Sequence, residues 1–210
     1  MPVKGKFITF EGGEGAGKST QVKLLAAFLR GKNIDAVETR EVGGSPSAEA
    51  IRDLWLKPKD GTWDVLTEVL LISAARREHL TKTVFPALAR GAWVICDRFA
   101  DSTRAYQGIG LGLGLETVDD IYRKVAPGFE PDLTLLLDLP VEAGLARIKK
   151  RGGQDDRYQQ KNVDFHKKLR DAYLSLAKKY AERFRIIDAS GGEIEVAAAV
   201  ERAVRGFFKL

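Results

Sequence analysis

Phe7 to Thr20, FITFEGGEGAGKST, is a run of strand-forming residues that breaks into glycines and closes on Gly17, Lys18 and Ser19. Gly12, four intervening residues and Gly17-Lys18-Ser19 fit the G-x-x-x-x-G-K-[ST] pattern of a phosphate-binding loop. Glycines at 12, 13, 15 and 17 permit positive φ and a close backbone approach, so a nest of N–H groups can face an anion without a Cβ in the way. A helix starting near Lys18 points its partial positive charge at the same anion. Lys18 is expected to reach the terminal phosphates and Ser19 to offer a hydroxyl to Mg²⁺. Gly12, Gly13, Glu14, Gly15, Ala16, Gly17, Lys18, Ser19 and Thr20 are therefore the expected nucleotide-binding set. The pattern carries weight only between a strand and a helix, and both are written here. Phe7, Ile8 and Phe10 supply the strand, and Val22, Leu25, Phe28 and Leu29 the apolar face of the helix.

At 210 residues, 44% hydrophobic and 30% charged, the chain suits a single soluble domain, 1–210, with one well-buried core. No apolar run approaches the length of a membrane span, and MPVKGKFITF leads straight into a strand rather than a signal peptide. Cys96, the one cysteine, excludes an internal disulfide and suits a reducing cytoplasm; its apolar surroundings predict a small buried side chain. The net charge of +5 is concentrated, since Arg147 to Arg170 carries nine Lys or Arg against three Asp. That favours one polyanion-binding segment, for which a nucleoside triphosphate suffices, over a nucleic-acid surface.

Turn signals alternate with apolar segments at the spacing of β-α units. The expected strands are Phe7 to Phe10, Asp35 to Thr39, Trp93 to Cys96, Leu133 to Leu139 and Arg185 to Asp188. Ser47 is expected to cap a helix to about Leu56, with a long helix following on a face of Leu66, Val69, Leu70 and Ser73. DSTRAYQGIGLGLGLE after Asp97-Arg98 reads as a polar, glycine-rich segment. RGGQDDRYQQKN reads as a mobile lid, about 151–162, too polar to hold a core. In the last helix Ile194, Ala197, Val200, Val204 and Phe207 are expected to face the core. The whole predicts an α/β fold, a P-loop NTPase-like three-layer sandwich on a five-stranded parallel sheet. Ligands in such sheets bind beyond the carboxyl ends of the strands, which gathers Gly12 to Ser19, Arg40 to Pro46 and Asp97-Arg98 around one crevice.

With these motifs in place the sequence resembles the thymidylate kinases over essentially its whole length. EGGEGAGKST resembles the family's phosphate loop, and TREVGGSP the loop usually written T-R-E-P-G-G. AAR at Ala74 to Arg76 is similar to the base-reading helix, and DRFADSTRAYQG to the signature DR-x-x-x-S-x-x-A-Y-Q-G, the most specific of the set. The resemblance implies phosphorylation of dTMP by ATP with Mg²⁺ in a cytoplasmic homodimer. An attacking phosphate oxygen is already ionised, so the reaction needs alignment and charge compensation rather than a general base. His79 and His166 are accordingly expected to be surface or packing residues.

The resemblance implies a role for each remaining site residue. Asp97 would hold the Mg²⁺ shell with Ser19, and Arg98 the acceptor phosphate, where a guanidinium suits better than an ammonium. Glu14 would accept a hydrogen bond from the acceptor 3′-hydroxyl, Tyr106 would lie under the deoxyribose and Arg76 would read the base. Ser102, Thr103 and Gln107 would add polar contacts, while Arg40 and Glu41 shape the acceptor site. Gly15 is not basic, so the cation on the transferring phosphoryl group would come from the lid, from Arg151 or Arg157, with Arg147 along the adenine. This chain departs from the family pattern at Ile72, where a phenylalanine stacking on the base is usual. Val42, Lys149 and Gln159 are lesser departures. Another nucleotide kinase of the same fold, or a P-loop switch, is the alternative function.

Overall fold

The computed structural model describes residues 5–59, 61–152, 158 and 161–210, with backbone alone at 151. Its centre is β1 (Phe7–Glu11), buried along its whole length. Four further strands follow: β2 (Ala36–Arg40), β3 (Trp93–Asp97), β4 (Leu133–Asp138) and β5 (Phe184–Asp188). They form one parallel sheet in the order β2-β3-β1-β4-β5. In register, Ile8 lies beside Ile95 on one side and Leu133 on the other, and Phe10 beside Asp97 and Leu135. A parallel sheet needs both faces covered, which is why β1, β3 and β4 read as nearly continuous apolar runs.

Alternation along β1 divides the core. Ile8 and Phe10 join Ile95, Leu135 and Leu137 under α1 (Lys18–Gly31) and α9 (Glu193–Phe208). Phe7 points the other way, into a cluster with Val94, Cys96, Phe99 and Tyr122. Beside it on that face, α2 (Pro46–Leu56), α3 (Val65–His79) and α8 (Val163–Lys179) close over Leu136. Three layers result, as the sequence predicts. The remaining α-helices are α4 (Phe85–Ala89), α5 (Ala100–Thr103), α6 (Leu115–Val125) and α7 (Val141–Arg151), and a π-helical turn, Leu80–Val84, joins α3 to α4.

Several local expectations are corrected. Helix α2 starts at Pro46 with Ser45 as its N-cap, not at Ser47, because proline fits the first helical position at no hydrogen-bond cost. In α3 the buried face is Val69, Ile72, Ser73, Ala75, Arg76 and His79, whereas Leu66 and Leu70 are 42% and 53% exposed. The polar stretch after β3, to which the sequence assigns no element, is helical: α5 runs into a π-helical segment, Arg104–Gly110. Its charged residues are buried in pairs, Arg104 with Asp101 at 2.9 Å and Asp119 at 2.7 Å, and Arg183 with Asp101 at 2.6 Å. Such pairing lets a polar sequence enter a core. Ile194 is exposed at the start of α9. Within the stretch expected to form a lid, Tyr158 is buried against Trp55, Tyr106 and Phe165, so this one residue does contribute to the core. Arg157 and Gln159 lie outside the described residues.

Candidate active site

The carboxyl ends of β1, β2 and β3 open on a cavity of about 560 Å³. Its floor is the glycine loop. Gly17 takes the left-handed conformation, φ +89°, that turns the chain from β1 into α1. Lys18, the first residue of α1, is buried and curls back to donate to the carbonyls of Gly12 at 3.1 Å and Gly13 at 2.8 Å. Burial, then the nearby Arg98, lowers its pKa to about 8. Ser19 donates to Asp97 Oδ2 at 2.5 Å across the gap between α1 and the end of β3. Two hard oxygen ligands side by side, one of them a carboxylate, fit Mg²⁺, which keeps most of its coordination for water and phosphate.

Arg98 follows Asp97 with φ +66°, a left-handed turn that swings its guanidinium across the sheet end toward the glycine loop. Nη2 donates to Glu14 Oε1 at 2.6 Å, and Nη1 to Gly12 O at 3.3 Å and to Ser102 Oγ and Tyr173 Oη, both at 3.2 Å. Tyr106 Oη donates to the same Glu14 oxygen at 2.7 Å. Burial alone would raise the Glu14 pKa, but the cations Arg98 and Lys18 together with the tyrosine hydrogen bond bring it down to about 2. The glycine loop and the segment after β3 are thereby tied together by one carboxylate.

On the other wall Arg76 Nε donates to Glu41 Oε2 at 2.8 Å and Nη2 to Thr103 Oγ1 at 3.0 Å, with Arg76 stacked 5.1 Å from the Phe99 ring centre. Ile72 lies one turn earlier on the same face of α3 and lines the cavity with Thr103 and Gln107. Gln107 Nε2 donates to Glu68 Oε2 at 3.0 Å and to Tyr158 Oη at 2.9 Å. At the mouth, Arg40 pairs with Glu49 at 2.9 Å, and Arg147 donates to the carbonyls of Ser190 and Gly191, both at 3.3 Å.

Of the residues expected from sequence, Glu14, Gly15, Gly17, Lys18, Ser19, Thr20, Arg40, Glu41, Ile72, Arg76, Asp97, Arg98, Ser102, Thr103, Tyr106, Gln107 and Arg147 line this one cavity. Gly12, Gly13 and Ala16 do not, although Gly12 and Gly13 hold Lys18 through their carbonyls. The side chains of Arg151 and Arg157 lie outside the described residues. Both histidines are buried rather than exposed, at 0% for His79 and 5% for His166. Sequence reasoning missed Arg52, Trp55 and Tyr158 on the wall, as well as Glu11 behind it. Glu11 accepts from the Phe99 N–H at 2.8 Å, Ser102 Oγ at 2.6 Å and Tyr173 Oη at 3.3 Å. Its signal was available, because a carboxylate at the end of an otherwise apolar central strand must be held by buried donors.

A lysine-bearing glycine loop at the end of the central parallel strand, faced by a serine–aspartate pair and a buried arginine, defines a P-loop phosphotransferase. The family model described as thymidylate kinase matches residues 10–200. Thymidylate kinase of Ruegeria pomeroyi is 50% identical over 204 residues, covering 97% of this chain and 96% of the relative. That of Caulobacter vibrioides is 48% identical over 201 residues, with 96% of each chain covered. The crystal structure of thymidylate kinase from Ehrlichia chaffeensis superposes with a TM-score of 0.76 at 34% identity, over 95% of this chain and 98% of that one. The chain belongs to the thymidylate kinase family. It is a nucleoside monophosphate kinase that phosphorylates dTMP to dTDP with ATP and Mg²⁺. Among the described residues no helix is long and apolar enough to cross a membrane.

Proposed function

We propose that the cavity divides into a donor half built on Lys18, Ser19 and Asp97 and an acceptor half built on Glu14, Arg98, Tyr106 and the Arg76 wall. The observation that carries this reading is the Arg98–Glu14–Tyr106 knot, which sets a cation and a sugar-sized polar site directly beside the phosphate loop. ATP phosphates displace Lys18 from the Gly12 and Gly13 carbonyls and take its charge. Ser19 and Asp97 would hold Mg²⁺, which when bound would offset the charge of the phosphate oxygens. The acceptor phosphate takes Arg98, and its ionised oxygen attacks the terminal phosphorus of ATP without a general base, breaking that phosphorus's bond to the β–γ bridging oxygen so that ADP leaves. Glu14 then accepts from the 3′-hydroxyl, and Arg76 with Thr103 and Gln107 meets the base, over which Ile72 lies. Arg40 and Glu41 shape the acceptor loop, and Arg147 lies along the adenine.

The cation on the transferring phosphoryl group comes from Arg151 or Arg157. Gly15 supports this assignment, because a Cβ there would meet the Gly144 carbonyl oxygen at 2.3 Å. A side chain at position 15 is sterically excluded. Residues 1–210 act as one domain, with a lid at about 151–162, in a cytoplasmic homodimer that has no nucleic-acid partner. Exposed Leu66 and Leu70 on α3 support the dimer.

Steady-state kinetics over dTMP, dUMP, dCMP, UMP and GMP, with wild type and Arg98→Ala, test this reading. The expected outcome is the highest kcat/KM for dTMP and a fall of about 10²–10³-fold in Arg98→Ala, measured at a temperature where the variant, destabilised by the loss of the Glu14 pair, is still folded. Retained activity in folded Arg98→Ala would refute the acceptor-phosphate role.

A further inference from the structure

His79 has no part in the chemistry described so far and is not on the cavity wall, yet it is fully buried beside it. It lies three residues after Arg76 in α3, on the same helix face. Its ring is bonded at both nitrogens. Nδ1 is 3.0 Å from Glu41 Oε1, and Nε2 is 2.7 Å from Thr39 Oγ1. An ionised carboxylate only accepts, so Nδ1 is the donor to Glu41; the Thr39 hydroxyl can serve Nε2 in either direction.

Glu41 uses its other oxygen for Arg76 Nε, and Arg76 Nη2 goes on to Thr103. The result is one continuous chain, Thr39–His79–Glu41–Arg76–Thr103. It begins on β2, passes through the loop after it and α3, and ends on α5 at the cavity wall. The ring is also held by shape. Gly44 has φ +86°, and a Cβ there would stand 2.5 Å from His79 Cδ2 and 2.6 Å from Thr39 Oγ1. Thr83 Oγ1 donates to the Gly44 carbonyl at 2.7 Å, fixing the loop from the far side.

A carboxylate with one oxygen bound and the other loose can rotate, and a guanidinium anchored on it rotates with it. With His79 on one oxygen and Arg76 on the other, the Glu41 carboxylate plane is fixed, and the Arg76 fork with it. Among the described residues Nη1 of Arg76 has no hydrogen-bond partner. This edge is left for a ligand.

We propose that His79 is a positioning residue for acceptor recognition, orienting Arg76 toward the base of the nucleotide through Glu41. The inference rests on the reading that Arg76 contacts the acceptor base, and it adds the residue that makes such a contact directional. It differs from a simple packing role in its signature. Loss of orientation weakens acceptor binding and base choice, while the donor site, more than one element away, is untouched.

The experiment compares His79→Leu, His79→Gln, Thr39→Val and Arg76→Met for KM of dTMP, KM of ATP, kcat, the ratio of kcat/KM for dTMP over dCMP, and thermal unfolding. His79→Leu is expected to raise KM for dTMP at least about ten-fold and to erode base preference by a similar factor, with KM for ATP unchanged. His79→Gln, whose amide can both donate to Glu41 and meet Thr39, is expected to recover most of the loss. Thr39→Val, which removes only the outermost link, is expected to raise KM for dTMP about three-fold, and with His79→Gln it carries the test should His79→Leu fail to fold. An unchanged KM for dTMP in His79→Leu, or in Thr39→Val where His79→Leu is unfolded, overturns the proposal. So does a loss shared equally by ATP and dTMP. If Arg76→Met itself leaves KM for dTMP unaltered, the base-contact reading fails and takes the inference with it. If Arg76→Met raises it and His79→Leu does not, the inference alone fails.

Discussion

Glu11 and Glu14 stand three residues apart and are pushed in opposite directions. Burial first, then the neighbouring Asp101, raises Glu11 to about 7 against the donors Ser102 and Phe99 and the charge of Arg98. Glu14, buried but caught between Arg98 and Lys18, sits at about 2. The linkage windows therefore separate. Between pH 4.5 and about 7 the folded chain keeps a proton on Glu11 that the unfolded chain has released, so this group's contribution to stability falls as pH rises. Glu14 contributes stability fully above pH 4.5 and loses it as pH falls toward 2. In thermal unfolding across pH, Glu11→Gln is expected to flatten the slope between 4.5 and 7 and to leave the acid limb of Glu14 in place. An unaltered slope in Glu11→Gln would refute the shift. At this scale the sequence was legible where a motif names the atom, as at Lys18, Ser19 and Asp97. It was illegible where a role comes from burial: the sequence shows His79 as a polar residue in a helix, and only the fold reveals that its ring is bonded at both nitrogens.

The contact between the phosphate loop and α7 is made of backbone. An ideal Cβ on Gly144 would meet the Glu14 carbonyl oxygen at 2.4 Å, and one on Gly15 the Gly144 carbonyl oxygen at 2.3 Å. Two glycines on separate elements thus allow α7, which carries Arg147, to rest directly on the loop. Gly144 lies within a helix, where alanine is intrinsically preferred by up to about 1 kcal/mol. Gly144→Ala is nevertheless expected to destabilise by about 1–3 kcal/mol, because rigid backbone cannot yield to the added methyl. It is also expected to raise KM for ATP by displacing the loop. Urea unfolding and ATP titration of the same variant check both effects, and a more stable variant with unchanged KM for ATP would refute the contact. Gly15 was legible in sequence as a missing cation; the reason, a helix backbone in the way, was not. The segment after β3 was illegible for a related cause. Its glycines and polar residues named no element in sequence, whereas buried ion pairs of Asp101, Arg104 and Arg183 hold it helical.

The parallel order β2-β3-β1-β4-β5 places the glycine loop on the central strand, with the Arg98 turn on one neighbouring strand. The parallel sheet, though not its strand order, followed from five apolar runs alternating with helices, since parallel strands must be joined by crossovers and both sheet faces covered. What the apolar pattern could not divide was core from surface along α3. Leu66 and Leu70, one helical turn apart, are 42% and 53% exposed, while Val69, Ile72 and Ala75 on the adjoining face are buried. A leucine pair left outside a well-formed core is an apolar face in need of cover, which in the proposed dimer a second copy would supply with the same pair across a two-fold axis. Because Ile72, Arg76 and His79 lie on the same helix, a dimer contact there would brace the acceptor wall from behind. Sedimentation of the wild type is expected to give a particle of two chains, and Leu70→Glu, which sets like charges face to face, a particle of one. The variant is expected to fold, since residue 70 is solvent-facing in the single chain, and to show a raised KM for dTMP from a less rigid α3. A wild type that sediments as one chain, or a Leu70→Glu variant that remains a dimer, would refute the assignment of this face.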